Sequence, residues 1–155
     1  MSLYEAVKIG HIISATILFG TGLGIAFFMF RSHFTDDLHE KFYAVRTTVL
    51  ADYLFTAPAA VIQPLSGLWL VRQGGFDLTD RWVLATLILY AIAGACWLPV
   101  VWIQIRLKRL LAESLAGGEA LPPDYRRLFR LWFALGWPAF GALVAIFALM
   151  VLKPH

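Results

Sequence analysis

The sequence predicts an all-α protein, an antiparallel four-helix transmembrane bundle with both termini outside and the long loops cytoplasmic. Three observations predict it. Four apolar runs, residues 9–30, 53–71, 82–105 and 131–152, fill most of the 155-residue chain. The last three contain no charged residue, and the first has His11 as its only ionisable group. The basic residues are distributed unevenly among the connections, nine on one side against four on the other. About 20 apolar residues in a helix span the ~30 Å hydrocarbon core of a bilayer. Hydrophobic residues make up 60% of the chain and mean hydropathy is +0.73, well above the range of soluble domains. The runs and their connections use up residues 1–155, so a single integral membrane domain is expected.

Helix one is expected to begin near Ser2 or Leu3 and to run to about Phe30. It reads as a retained span and not a cleaved signal, because Glu5 precedes it and no basic leader or small-residue cleavage site is present. Gly20 and Gly24 stand at GxxxG spacing, which predicts close approach of another helix, in this chain or a second copy. Residues 32–48 mix acids, bases, His33 and His39, and read as a solvated connection or the frayed start of helix two. Pro58 and Pro64 predict a kink or local unwinding in helix two. The segment from Gln73 through Gly74, Gly75 and Phe76 to Asp77 reads as a turn, after which Thr79 or Asp80 can cap helix three. Helix three outruns the membrane, keeping apolar residues at helical spacing past Gln104 until Gly117 and Gly118 end it. Pro122, Pro123 and Asp124 restart the chain into helix four, which carries Pro138. Trp69 and Trp82 mark one expected interface, Trp102 and Trp132 the other.

Arg31, Lys41 and Arg46 lie between runs one and two. Arg106, Lys108, Arg109, Arg126, Arg127 and Arg130 lie between runs three and four. Only Lys8, Arg72, Arg81 and Lys153 fall on the other side. Positive loops remain cytoplasmic, so these two are placed inside a bacterial inner membrane. That topology accounts for the basic loops without nucleic acid, and none is expected as a partner. The expected partners are the lipid bilayer and a second copy or a membrane redox protein.

Polar groups within the spans mark the candidate site. His11 lies about eight residues, ~12 Å, from the outer end of helix one. Gln63 on helix two and Thr86 and Tyr90 on helix three lie at similar depth, so one polar layer is expected. Lys8 continues the His11 face outward. Asp52, Thr56, Gln63 and Gly67 form one helical stripe; Thr86, Tyr90, Gly94 and Trp97 form another. The plain structural reading of Gln63, Tyr90 and the threonines is hydrogen bonding across helices. A membrane-embedded histidine is costly and commonly functional, and imidazole is a common haem ligand in helical bundles. Asp52 is expected to pair with Arg46, Arg31 or Arg130, because an unpaired carboxylate there is expensive. His33 and His39 lack compact metal-ligand spacing, Cys96 reads as a small apolar residue, and terminal His155 carries no signal. No nucleophile triad, phosphate loop or CxxC pair is present, so hydrolase and nucleotide-driven activities lack support.

Four stretches carry a resemblance: Lys8-Ile9-Gly10-His11-Ile12-Ile13, Asp52-Tyr53-Leu54-Phe55-Thr56-Ala57-Pro58, Cys96 through Pro99 to Gln104, and Gly136-Trp137-Pro138-Ala139-Phe140-Gly141. With them the chain resembles an uncharacterised family of small four-helix bacterial integral membrane proteins. More distantly, through Lys8 and His11, Phe30-Arg31-Ser32-His33 and Thr56-Ala57-Pro58, it is similar to HemJ-type protoporphyrinogen oxidases and copper-resistance D membrane proteins. That likeness implies haem b, an oxidoreductase role in tetrapyrrole or electron-transfer chemistry, and His11 as the iron ligand. Lys8, Gln63, Thr86 and Tyr90 would complete the cofactor pocket, with Lys8, Tyr90, Met150, water or nothing as the sixth ligand. The HemJ lysine early in helix three has no counterpart, since Leu84 and Thr86 stand there with Arg81 nearby. Its helix-two arginine is matched only by Arg46, a turn early. The competing expectations are a cofactor-free accessory or interaction protein and a small transporter.

Overall fold

The computed structural model describes residues 1–154; His155 and its reading lie outside them. Helix α1 spans Leu3–Ser32, α2 Leu38–Ala51, α3 Ala57–Gln73, α4 Arg81–Gly117 and α5 Pro123–Leu152, and no strand occurs among the described residues. A π-helical turn, Asp52–Thr56, fuses α2 and α3 into one 36-residue span. All four spans are long and apolar enough to cross a membrane, and only 6–17% of the most apolar window of each is buried within the protein. Lipid must cover the remainder, as in an integral membrane protein.

Local chemistry sets the helix ends. Ser2 caps α1 in a reciprocal box: the Glu5 amide donates to Ser2 Oγ and the Ser2 amide to Glu5 Oε2. Residues 38–48, read from sequence as connection or frayed helix, are ordered helix. Their buried positions Lys41, Val45, Thr48 and Val49 recur at helical spacing. Lys41 Nζ donates to the carbonyls of Ser32 at 3.3 Å and His33 at 2.8 Å, closing the C-terminus of α1. Gly75 (φ +74°) and Gly118 (φ +65°) take the left-handed conformations that the turn after α3 and the end of α4 require. Asp80 stands at the N-cap of α4 but binds the Asp77 amide instead of its own helix.

The helices pack as two pairs. Helix α1 lies along α3, and α4 lies along α5 over its length. At the basic end α2 ties the pairs together by contacting both α1 and α4. Met29, Val45, Ile103, Leu107, Leu111, Tyr125, Phe129 and Trp132 form the core there. At the opposite end Val71, Trp82 and Val83 form a smaller cluster with Phe76, Leu78 and Met150. The Lys153 ammonium lies 4.6 Å from the Phe76 ring centre and 5.6 Å from that of Trp82. Helix α1 meets α5 only briefly, through Phe19 set edge-on to Phe140 and Phe147 and Phe30 stacked on Phe133. A space therefore remains between the pairs.

Two sequence expectations change here. A Cβ added at Gly20 or Gly24 would meet nothing within 4 Å, so neither supports a close contact within the chain. Trp132 is 5% exposed in the basic-end core, not an interface anchor, whereas Trp102 is 60% exposed.

Candidate functional site

The space between the pairs is a cavity of about 620 Å³, within the range of small-molecule sites. Its walls are almost wholly apolar. Leu18, Gly22 and Ala26 face it from α1, Ala57, Ala60 and Val61 from α3, Ala93, Gly94 and Trp97 from α4, and Trp132, Gly136 and Phe140 from α5. The strongly exposed wall residues Leu23 and Trp137 mark an opening between α1 and α5. Val61 and Leu98 mark a second between α3 and α4.

Polar atoms gather at the end of the cavity towards the basic core. Asp52 is 3% exposed, Thr56 4% and Gln104 3%. The side chains of Thr56, Trp97 and Gln104 approach the Asp52 carboxyl. Even so, Asp52 Oδ2, Thr56 Oγ1, Trp97 Nε1 and Gln104 Oε1 lack a well-formed hydrogen bond. Buried polar groups are nearly always satisfied, and one left unpaired costs about 1–3 kcal/mol. The expected pairing of Asp52 with arginine is corrected: no ion pair within 4 Å occurs among the described residues. The Arg46 guanidinium instead lies 5.6 Å from the Phe42 ring centre and 5.5 Å from that of Tyr43, Arg31 lies 6.0 Å from that of Phe34, and Arg130 is exposed.

The π turn explains the position of Asp52. Pro58 has no amide proton, and just before it the Ala57 amide reaches back to the Asp52 carbonyl, one residue further than in an α-helix. One extra residue delays the helix by about 100°. The stripe expected to join Asp52, Thr56, Gln63 and Gly67 therefore splits. Asp52 and Thr56 face the cavity, while Gln63 and Gly67 turn to α1.

Pro64 has a similar effect one turn on. It cannot donate to the Ala60 carbonyl, and the Tyr90 hydroxyl donates there instead, bridging α4 to α3. Tyr90, Gly94 and Trp97 line the cavity as one face, as the sequence stripe implies. Thr86 is buried with an unpaired hydroxyl but lies outside the cavity wall.

His11 occupies a different place. It lines a groove of about 440 Å³ between α1 and α3, bordered by the exposed residues Ile13, Leu54, Phe55 and Ile62. Gln63 Nε2 donates to the His11 carbonyl at 2.8 Å, and a Cβ on Gly67 would stand 3.2 Å from His11 Cε1. His11 Nδ1 is 2.7 Å from Ser66 Oγ, which is itself 2.6 Å from the Ile62 carbonyl. Two acceptors cannot sit that close without a proton between them, so the Ser66 hydroxyl donates to Ile62. Its oxygen then accepts from His11 Nδ1–H, and Nε2 carries the lone pair. The expected layer is thus divided: His11 and Gln63 meet at the groove, while Tyr90 reaches a neighbouring face of α3. Lys8 is exposed, and Met150 packs in the cluster at the far end.

His33, read as a solvated loop residue, stacks on Phe129 with ring centres 4.1 Å apart. Burial first, then the positive charges of Lys41 and Arg126, hold its imidazole below the usual histidine range. His39 is exposed and Cys96 is a half-buried free thiol. No cluster of three or more His, Cys, Asp or Glu poised for a metal occurs among the described residues.

Sequence reasoning missed Gln104, Trp132 and the small residues Ala60, Ala93 and Gly136 as one wall. The only sequence signal was the co-occurrence of small and aromatic residues on facing helices. Fold and site together define a polytopic membrane protein with an apolar cavity between its helix pairs. Residues 5–154 match the family described as predicted integral membrane protein (DUF2269), and the chain belongs to it. No curated protein and no solved structure matches.

Proposed function

We propose that this protein holds a lipophilic small molecule in the cavity between its helix pairs and takes it sideways from the bilayer. The observation that carries the reading is an apolar space of about 620 Å³ ending at buried, unpartnered Asp52 and Gln104. An apolar body fills the walls and a polar head satisfies the orphaned atoms. Gly94 and Gly136 supply the test, because both line the cavity and a Cβ at either meets nothing within 4 Å. In Gly94→Leu or Gly136→Leu the Cβ is accommodated and the rest of the side chain should take up cavity volume. Binding of the neutral fluorophore N-phenyl-1-naphthylamine in nanodiscs, read by energy transfer from tryptophan, should be lost in both variants while the fold persists. Equal binding by wild type and both variants overturns the reading.

A second reading retains His11 as a haem-b ligand in a redox protein. One observation favours it: Ser66 holds Nδ1–H and leaves Nε2 as the free base, the orientation that a metal-bound imidazole requires. The other walls of the groove carry no side chain that binds iron, so His11 would ligate alone. A Soret band in protein made with full haem supply, absent from His11→Ala, supports this reading; a colourless wild type sinks it.

We further infer that both long connections are cytoplasmic in a bacterial inner membrane, from the nine-to-four distribution of basic residues. A C-terminal alkaline phosphatase fusion should be active, and an inactive one reverses the orientation.

A further inference from the structure

We propose that the occupant of the cavity is a lipophilic amine, bound as an ammonium whose N–H groups donate to Asp52 and Gln104. This rests on the cavity reading and narrows it to a chemical class. Asp52 is 3% exposed, and the side chains that approach its carboxyl, Thr56, Trp97 and Gln104, are all uncharged. A lone carboxylate in such surroundings must either take up a proton or be balanced by a cation. The basic residues near this end are engaged elsewhere: Arg46 lies on Phe42 and Tyr43, and Lys41 closes α1. An occupant that brings its own cation would supply that balance.

The remaining chemistry points the same way. Two unpartnered acceptors, Asp52 Oδ2 and Gln104 Oε1, belong to neighbouring side chains at one end of the space. An ammonium presents several N–H donors to such a pair, whereas an alcohol presents one. Trp97, Trp132 and Phe30 add ring surfaces at the same end of the cavity, and aromatic faces attract cations. Beyond them the walls admit only an apolar body.

The test compares 1-naphthylmethylamine with 1-naphthalenemethanol, which share one apolar body and differ in the charged head. Binding is read by tryptophan-to-naphthyl energy transfer in zwitterionic nanodiscs, with protein-free nanodiscs as the partition control. The amine should bind roughly tenfold more tightly than the alcohol. That advantage should vanish in Asp52→Asn and shrink in Gln104→Leu, with a smaller loss for the alcohol than for the amine in both. Equal binding of amine and alcohol by wild type overturns the amine assignment and leaves the cavity reading standing. An amine preference that survives in both Asp52→Asn and Gln104→Leu does the same. Failure of wild type to bind either probe overturns both. Should Asp52→Asn not fold, the wild-type comparison and Gln104→Leu still decide.

Discussion

At the scale of single residues, a proline on one helix determines the role of a tyrosine on another. Pro64 frees the Ala60 carbonyl and Tyr90 takes it, so the two effects are linked through one oxygen. Tyr90→Phe should cost about 1 kcal/mol of stability, since a part-buried carbonyl loses its side-chain donor. In a Pro64→Ala background the restored backbone amide takes over, and the same change should cost little. A double-mutant cycle in detergent checks this; equal costs in the two backgrounds would remove the linkage. His33 gives a pH prediction with a definite sign. Its folded state favours the neutral ring, so its contribution is complete above the unfolded value and is lost as pH falls through the lower folded one. Wild-type melting temperature should fall between about pH 7 and pH 5. His33→Phe, which keeps a ring against Phe129, should fall less over that interval; parallel curves would refute the assignment.

At the scale of elements, the π turn decides which residues share a face. Deleting Phe55 should let Asp52–Thr56 relax towards α-helix and turn α3 by about 100° against α2. Ser14 Oγ lies 3.4 Å from the Ala59 carbonyl in the intact protein, so cysteines at 14 and 59 in a Cys96→Ala background should cross-link. The deletion should abolish that bond, and cross-linking that persists would show that the turn does not set the register. The GxxxG pair yields the opposite kind of expectation. Gly20→Leu and Gly24→Leu should leave thermal stability near wild type, because open space surrounds both positions. A large loss of stability in either would restore the tight contact the spacing suggested. Much of the fold was legible at this scale, from the four apolar runs to the ends at Gly75 and Gly118, because hydropathy and turn chemistry are local. The candidate site was legible only in part. Asp52, Thr56, Tyr90, Gly94 and Trp97 were all on the expected stripes, but extrapolating an ideal helix through Pro58 carried Gln63 and Gly67 to the wrong face. His11 drew attention as the lone ionisable group in its run, whereas the cavity of about 620 Å³ lies elsewhere. Emptiness is a property of how helices pair, and no single helix encodes it.

At the scale of the whole molecule, the closed basic end and the open middle belong to different solvents. Helix α4, with 37 residues, is about 55 Å long and outruns the ~30 Å hydrocarbon layer. Its extension carries Leu107, Leu110 and Leu111 against Tyr125 and Phe129, flanked by exposed Arg106, Arg109, Arg126, Arg127 and Arg130. That cluster is bordered by water, so its cohesion comes from the hydrophobic effect. Within the bilayer no such force drives helices together, because acyl chains are as apolar as leucine. The chain is therefore an amphibious clamp: a water-driven core grips the two helix pairs at one end, and within the lipid the Tyr90 bridge, the Phe19 contacts and the far cluster join them. Urea should loosen the basic-end cluster while the spans stay helical, leaving the Tyr90 bridge and the far cluster of Val71, Trp82 and Val83 to hold the two pairs together.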